Sequence, residues 1–522
     1  MVSIPQRLLG EALTKTAEKY PDKTAIIFKG EEYSYMQLKE AAEKIASYLI
    51  VSGIKKGDRV AVYMNNSWQS AVALYGVTLS GAVFLMVNPQ TKADKLNFIL
   101  KDSGSRVLIT EGRLQKEFIP AIRETDIFEV ILSFGTLGLK SENVSLTNFE
   151  KIFDSGIKQG VPARIIPNDL ASLIYTSGST GFPKGVMMTH ESMVFASWSL
   201  IEYLRLDEND RIILVIPLAF DYGLYQLLMS VTIGGTLIME QSFAFPSSVY
   251  KDIEKYKPTV FPAVPTIFAM MIAMNKKSGL NFPCIKKITN TAAALPAKTI
   301  PDLKKVFPEA LIFKMYGLTE CKRVCYLEPE LIDEKPGSVG KAIPGTEVFL
   351  LSPEGEPVPS GTPGILHVRG PHVMLGYWNN EKLSKEMLRP GNLPYERILC
   401  TNDWFRTDED GFLYFLSRND DIIKTRGEKV SPVEVENVIY KNKNVKEAAV
   451  VGIPDEIMGE AIVAFVTTYD AGLTEKEIQK VCMENLEIFM IPSKVVFLEN
   501  MPKSANGKID KKVLTKMAKE DE

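Results

Sequence analysis

The sequence predicts an α/β protein: a large N-terminal domain of helix-covered sheets with a β-rich subdomain, and a small α+β C-terminal domain. Three observations carry this. Short apolar runs alternate with amphipathic stretches up to about residue 337. From about 337 to 417 the runs become brief and are punctuated by Pro and Gly. The remaining residues carry helix-start signals of their own. A chain of 522 residues is also too long for a single core.

The elements follow in order. Tyr35–Tyr48 has the apolar stripe of a surface helix, and Arg59–Tyr63 reads as a buried strand. The segment Trp68–Val87 comes nearest to a membrane span. Gln69, Ser70, Gly76, Thr78, Ser80 and Gly81 interrupt it, which suits a buried helix running into the strand Ala82–Val87. Further strands are expected at Arg106–Thr110, Glu129–Leu132, Leu170–Tyr175, Arg211–Val215, Thr236–Met239 and Thr259–Phe261, with a helix at Ser192–Tyr203. Such alternation predicts mostly parallel sheets covered by helices. Near the C-terminus Ser431-Pro432-Val433-Glu434 offers an N-cap serine, proline at N1 and glutamate at N3. Thr474 and Glu477 repeat the capping-box spacing, Ala448–Val451 and Ala461–Thr467 are strand candidates, and the end reads as a polar, lysine-rich tail.

Composition narrows the function. Hydrophobic residues make up 45% and charged residues 24%, as in an ordinary globular protein. A net charge of −3 excludes a general attraction to nucleic acid or anionic membrane, so any bound anion needs a local site. The N-terminus lacks the basic and apolar regions of a signal peptide, and no transmembrane segment is expected. Five scattered cysteines suggest reduced thiols and a cytoplasmic protein. Cys321 and Cys325 are four apart, yet three histidines in the whole chain supply neither a convincing metal set nor a His-based triad.

The densest chemistry lies in Tyr175-Thr-Ser-Gly-Ser-Thr-Gly-Phe-Pro-Lys-Gly185. Hydroxyls and unshielded backbone N–H groups suit a polyphosphate, the glycines permit close approach, and Lys184 adds a point charge. A Walker A loop is excluded, because that motif needs Gly-Lys followed by Ser or Thr. Here Pro183-Lys184-Gly185 stands instead, and Gly340-Lys341 and Gly507-Lys508 precede Ala342 and Ile509.

Five companions follow in register: Met315-Tyr-Gly-Leu-Thr-Glu320, Cys400-Thr-Asn-Asp403, Leu416-Ser-Arg-Asn-Asp-Asp-Ile-Ile-Lys424, Gly427-Glu-Lys-Val-Ser-Pro432 and Pro502-Lys-Ser-Ala-Asn-Gly-Lys508. Together they resemble the adenylate-forming (AMP-binding) superfamily of acyl-CoA synthetases, peptide-synthetase adenylation domains and luciferases, over nearly the whole chain. The resemblance implies ATP and Mg²⁺ as cofactors and a two-step reaction. A carboxylate attacks the α-phosphate to give an acyl-adenylate and pyrophosphate, and a thiol then displaces AMP. It implies that Thr176, Ser177, Gly178, Ser179, Thr180, Gly181 and Lys184 hold pyrophosphate, that Glu320 ligates Mg²⁺, and that Thr319 bonds phosphate. Ala292, Ala293 and Ala294 would wall the adenine with Tyr316 stacked on it, Asp403 would take the ribose hydroxyls, and Arg418 would reach the nucleotide. Lys508 would be the catalytic lysine of adenylation. The implied organisation is a core at 1–417, its β-rich part at 337–417, and a mobile domain at 418–522 that turns about Asp420 and brings Gly427 to the thiol's tunnel.

Two departures from the usual motifs replace a glycine and keep the functional side chain: Asn402 before Asp403, and Ser417 before Arg418. For the acid pocket, Phe220-Asp221 resembles amino-acid-activating members, and Lys322 and Arg323 are placed to hold a second substrate carboxylate. An alternative is that Asp221 and Arg323 pair with each other. The expected function is an ATP-dependent acid–thiol ligase of the acyl-CoA synthetase type. The alternative is a freestanding amino-acid ligase, including β-amino acids, that loads a separate carrier protein. With no carrier segment after Lys508, CoA or a phosphopantetheinyl carrier protein is expected to supply the thiol. A non-catalytic adenylate-binding protein is disfavoured by retention of Lys184, Glu320, Asp403, Arg418 and Lys508, and nothing marks the oxidative step of a luciferase.

Overall fold

A computed structural model describes residues 5–135, 144–157, 160–161, 163–177, 183–291, 295–418, 421–425, 428–455, 459–469, 472–486, 488–504 and 507–520. Two large sheets form the N-terminal part. The first has nine strands, its centre being the parallel run Leu311–Tyr316, Lys287–Asn290, Val260–Ala263, Arg211–Leu214, Thr236–Met239 and Thr24–Phe28. The second has eight strands, with Leu170–Ser177, Val83–Val87, Arg59–Tyr63, Ser105–Thr110 and Glu129–Leu132 side by side and parallel. These strands are continuous apolar runs because helices cover both faces.

The interrupted segment is the helix Trp68–Ser80 followed by the strand Val83–Val87. Ser67 and Ser70 cap its start reciprocally, and Gly81 ends it at φ 84°, a left-handed conformation that favours glycine. Its residues are buried on nearly every side, as expected for a helix inside a core. No helix among the described residues is long and apolar enough to cross a membrane.

A smaller antiparallel sheet contains Glu347–Leu351, Gly364–Arg369, Arg397–Thr407 and Leu413–Arg418. A fourth sheet is built from Ile423–Thr425, Glu428–Val430, Val445–Asp455, Gly459–Thr468 and Lys494–Phe497. Ser431 accepts from Glu434 N at the start of the helix Pro432–Ile439, and the Glu477 carboxylate accepts from Thr474 N at 2.8 Å. The buried apolar clusters of this last region, around Val450 and Phe465, share no residue with the main core. The tail read as merely polar is the helix Lys511–Glu520, which buries Leu514 and Ala518. Those two residues lie four apart on one face, a stripe that the surrounding lysines hide in a composition count.

Candidate active site

The strands Leu170–Ser177 and Pro183–Thr189 pair antiparallel, placing Thr176 opposite Lys184. Thr176 and Ser177 are thus strand residues. Thr176 Oγ1 is buried with no hydrogen-bond partner among the described residues. Gly178, Ser179, Thr180 and Gly181 lie outside the described residues, as do Ala292, Ala293, Ala294, Asp420 and Gly427.

On its other edge the strand Pro183–Thr189 pairs with Gly376–Tyr377, so Tyr377 reaches the same region. Lys184 Nζ donates to Tyr377 Oη at 3.0 Å and lies 3.4 Å from Glu320 Oε1. Tyr377 in turn donates to Glu320 Oε1 at 2.6 Å. Burial and the Glu320 charge both push the Tyr377 hydroxyl well above its ordinary pKa, so it stays a donor. No motif pointed to Tyr377. Its place comes from a cross-strand pairing between segments distant in sequence, and only its nearness to the loop through that pairing identifies it.

Glu320 follows the strand Leu311–Tyr316 through a tight turn. Gly317 is required there, because a Cβ would stand 2.1 Å from Lys322 O. The turn brings Cys321 N and Lys322 N onto the Leu318 carbonyl. Lys322 sits at φ 66° and is fully buried, its Nζ donating to the Thr319 carbonyl at 2.9 Å. Burial lowers its pKa to about 8 against the opposing pull of Asp221 and Glu320. Thr319 therefore anchors Lys322 through its carbonyl, and the residue is half-buried.

At the end of the same strand Tyr316 donates to Asp403 Oδ2 at 2.5 Å, its ring held edge-on by Phe405 at 4.8 Å. Asp403 and Arg418 are direct cross-strand partners, with Nε 3.9 Å from Oδ1. Asn402, in the place of the usual glycine, has φ 57°. The left-handed conformation is retained, and asparagine is among the residues that tolerate it best. Asp403 is 7% exposed, and burial raises its pKa to about 6 despite Arg418 and Tyr316.

Asp221 opens the helix Asp221–Ile233 next to Phe220, which occupies its N-cap position. Arg323 Nη1 lies 3.6 Å from Asp221 Oδ2, and the guanidinium sits 4.9 Å from the Tyr222 ring centroid. Asp221 and Arg323 thus pair with each other, and Arg323 Nε, also buried, has no hydrogen-bond partner among the described residues. Lys508 comes from the C-terminal region on a turn where Gly507 has φ 74° and Ser504 N donates to Lys508 O. Burial, then Arg418, lowers its pKa, while the charges of Asp221 and Asp403 oppose this. A separate recess of about 730 Å³, lined by Thr346, Arg369, Met374 and Arg397, includes none of these residues.

The AMP-binding enzyme family matches residues 13–378, and its C-terminal domain matches residues 434–508. A long-chain-fatty-acid–CoA ligase of Bacillus subtilis (strain 168) is 31% identical, over 97% of this chain and 94% of that protein. An anthranilate CoA ligase solved with anthranoyl-AMP superposes at TM-score 0.88, with 26% identity, over 99% of this chain and 98% of that one. The o-succinylbenzoate coenzyme A synthetase of Bacillus subtilis, solved with ATP and a magnesium ion, superposes at TM-score 0.81, with 27% identity, over 95% and 98%. The chain belongs to the AMP-binding enzyme family. It is an AMP-forming ligase of the acyl-CoA synthetase type.

Proposed function

We propose that this protein joins a carboxylic acid to the thiol of CoA through an acyl-adenylate, using Mg·ATP, and that the acid carries a polar or charged group at its non-reacting end. The observation that carries the first part is the convergence of Lys184, Tyr377, Glu320, Tyr316, Asp403, Arg418 and Lys508 from six separate segments. In this reading Thr176, Ser177, Gly178, Ser179, Thr180, Gly181 and Lys184 grip the phosphates, and the unpartnered Thr176 hydroxyl fits that role. The described residues contain no cluster of three or more metal-ligating side chains. The single carboxylate of Glu320 suits Mg²⁺, which is commonly held by one or two carboxylates with phosphates and water. Tyr316 and Ala292–Ala294 border the adenine, Asp403 accepts from the ribose, and Thr319 and Arg418 reach phosphate and nucleotide. The division at 417 and 418, the hinge at Asp420 and the approach of the thiol past Gly427 belong to the same reading. The separate apolar clusters of the C-terminal region support it. The five free cysteines fit a cytoplasmic protein.

The second part rests on the pocket's charge. Asp221 is engaged by Arg323, Lys322 is drawn on by Asp221 and Glu320, and Arg323 Nε has no hydrogen-bond partner among the described residues, so the guanidinium keeps a donor to be met. A second carboxylate or other acceptor would answer it, whereas a plain alkyl chain would leave it unmet. ATP–pyrophosphate exchange across fatty, aromatic, dicarboxylic, α-amino and β-amino acids tests this. Acids with a distal polar group are expected to lead, and exchange confined to unsubstituted fatty acids would refute it. The amino-acid alternative, with a carrier protein as acceptor, needs Asp221 to leave Arg323 for a substrate ammonium. It predicts that Asp221→Ala abolishes exchange with amino acids and spares simple acids. The paired geometry predicts loss with every acid and a lower melting temperature, since removing one partner of a buried pair typically costs about 3–5 kcal/mol. Mass spectrometry of the product with CoA and with carrier proteins identifies the acceptor.

Asp403 gives the reading a pH signature. Its carboxyl must be ionised to accept both ribose hydroxyls, and its pKa is raised to about 6. The KM for ATP is therefore expected to rise about tenfold between pH 7 and pH 5. The sign separates this from unfolding. A carboxyl whose folded pKa lies above its unfolded one contributes stability at low pH and loses it as pH rises through about 6. Asp403 therefore makes no contribution to acid denaturation. A flat KM across that range would contradict the ribose role.

A further inference from the structure

One residue of the large domain makes two polar contacts with the C-terminal region. Lys298 lies in the short turn Ala297–Thr299 of the large domain. Its Nζ donates to the Val445 carbonyl at 2.8 Å and sits 4.4 Å from the Tyr440 ring centroid. Both partners are rigid. Val445 begins the strand Val445–Asp455, and Tyr440 Oη accepts from Ala448 N at 3.0 Å, which fixes its ring. Beside this contact Lys276 lies 5.1 Å from the ring of Tyr469. Gly507, the residue before Lys508, approaches Thr266 so closely that a Cβ would be 3.1 Å from its Oγ1. Thr266 and Lys276 share the helix Pro265–Ser278. The C-terminal region buries apolar clusters of its own and meets the large domain's Ile365, Cys400 and Trp404 through Ile422, close to the boundary, so these polar contacts farther along the chain help to set the relative orientation.

We infer that Lys298 is a positioning residue for adenylate formation: it holds the C-terminal domain, through the Val445 carbonyl and the Tyr440 ring, in the orientation that delivers Lys508 to the cleft. It touches no substrate in this account and acts through Lys508, and in that respect the inference rests on the proposed role of Lys508. A lysine suits the task. Its ammonium makes a charge-assisted bond to a backbone carbonyl and a cation–π contact, both of which break without stranding a group in an apolar core. The clamp is therefore firm enough to bias one orientation and weak enough to release it for the thiol step.

Two experiments test the inference. In the first, Lys276→Cys/Tyr469→Cys is treated with a short bifunctional thiol reagent in the absence of any substrate, with and without Lys298→Ala. Cross-linking is expected to fall at least about threefold in the Lys298→Ala background, reflecting loss of one hydrogen bond and one cation–π contact, and to recover with Lys298→Arg. An unchanged yield overturns the inference whatever the enzyme's substrate. In the second, Lys298→Ala alone is assayed by ATP–pyrophosphate exchange with the acid that serves the native enzyme best. A synthetic adenylate of the same acid is supplied with CoA for the thiol step. Exchange is expected to fall about tenfold with the KM for ATP unchanged, while the thiol step keeps its rate. An equal loss in both half-reactions means a structural role and overturns the inference. Lys298 is partly exposed, so truncation leaves no cavity in a core. A Lys508→Ala control with full exchange would indict the proposed function instead, and the cross-linking result would still stand or fall by itself.

Discussion

Lys508→Ala is expected to slow ATP–pyrophosphate exchange by about 10²-fold or more, the scale of removing one preorganised transition-state donor. The structure gives the expectation its physical content. The ammonium is half-buried, and burial and Arg418 lower its pKa while the negative charges of Asp221 and Asp403 oppose this. A charge so held is already stripped of much of its water. Its attraction to oxygens that gain charge during attack on phosphorus is accordingly stronger than in bulk solvent. Lysines at 503, 511 and 512 cannot substitute, because Lys503 is paired with Glu447 and Lys511 with Glu436, and Lys512 is on the helix that follows. Exchange close to the native rate in this variant would remove Lys508 from the reaction.

Glu320→Gln is the second large effect expected. The glutamine keeps the shape of the side chain and still accepts from Tyr377, so folding and melting temperature should hardly change. What disappears is the negative charge that faces Lys184 at 3.4 Å and would face Mg²⁺. Exchange should fall by about 10²-fold, and the Mg²⁺ concentration for half-maximal rate should rise. An unaltered metal dependence would mean that Glu320 serves only to orient Lys184 and Tyr377.

The sequence disclosed some parts of the molecule to the residue and others not at all, for physical reasons. Arg59–Tyr63, Glu129–Leu132 and Thr236–Met239 were legible because a strand buried on both faces is an unbroken apolar run. The caps at Ser431 and Thr474 were legible because a cap is a local bargain among four residues. Asn402 was readable only as a departure. The structure shows that Asn402 adopts a left-handed backbone, which a glycine would take as readily. The Asp403–Arg418 pairing depends on register between strands, and the approach of Tyr377 to Lys184 depends on a short strand added from far along the chain. Neither leaves a periodic trace. The pocket charges stood beside each other in sequence at Lys322 and Arg323, and the pairing of Asp221 with Arg323, one of two readings open in the sequence, is the one the structure holds.

The separate apolar clusters of the C-terminal region have a consequence for how the protein falls apart. With apolar clusters of its own, and Ile422 packed on Ile365, Cys400 and Trp404 as its apolar contact with the large domain, the small domain is expected to unfold as a separate unit. Heating would then abolish the contribution of Lys508 before, or after, the large sheets lose their order, and a single unfolding temperature would not describe the chain. Calorimetry should show two heat-absorption events. The temperature at which adenylation stops would mark the more fragile of the two, with the nucleotide cleft still standing if the small domain is the first to go.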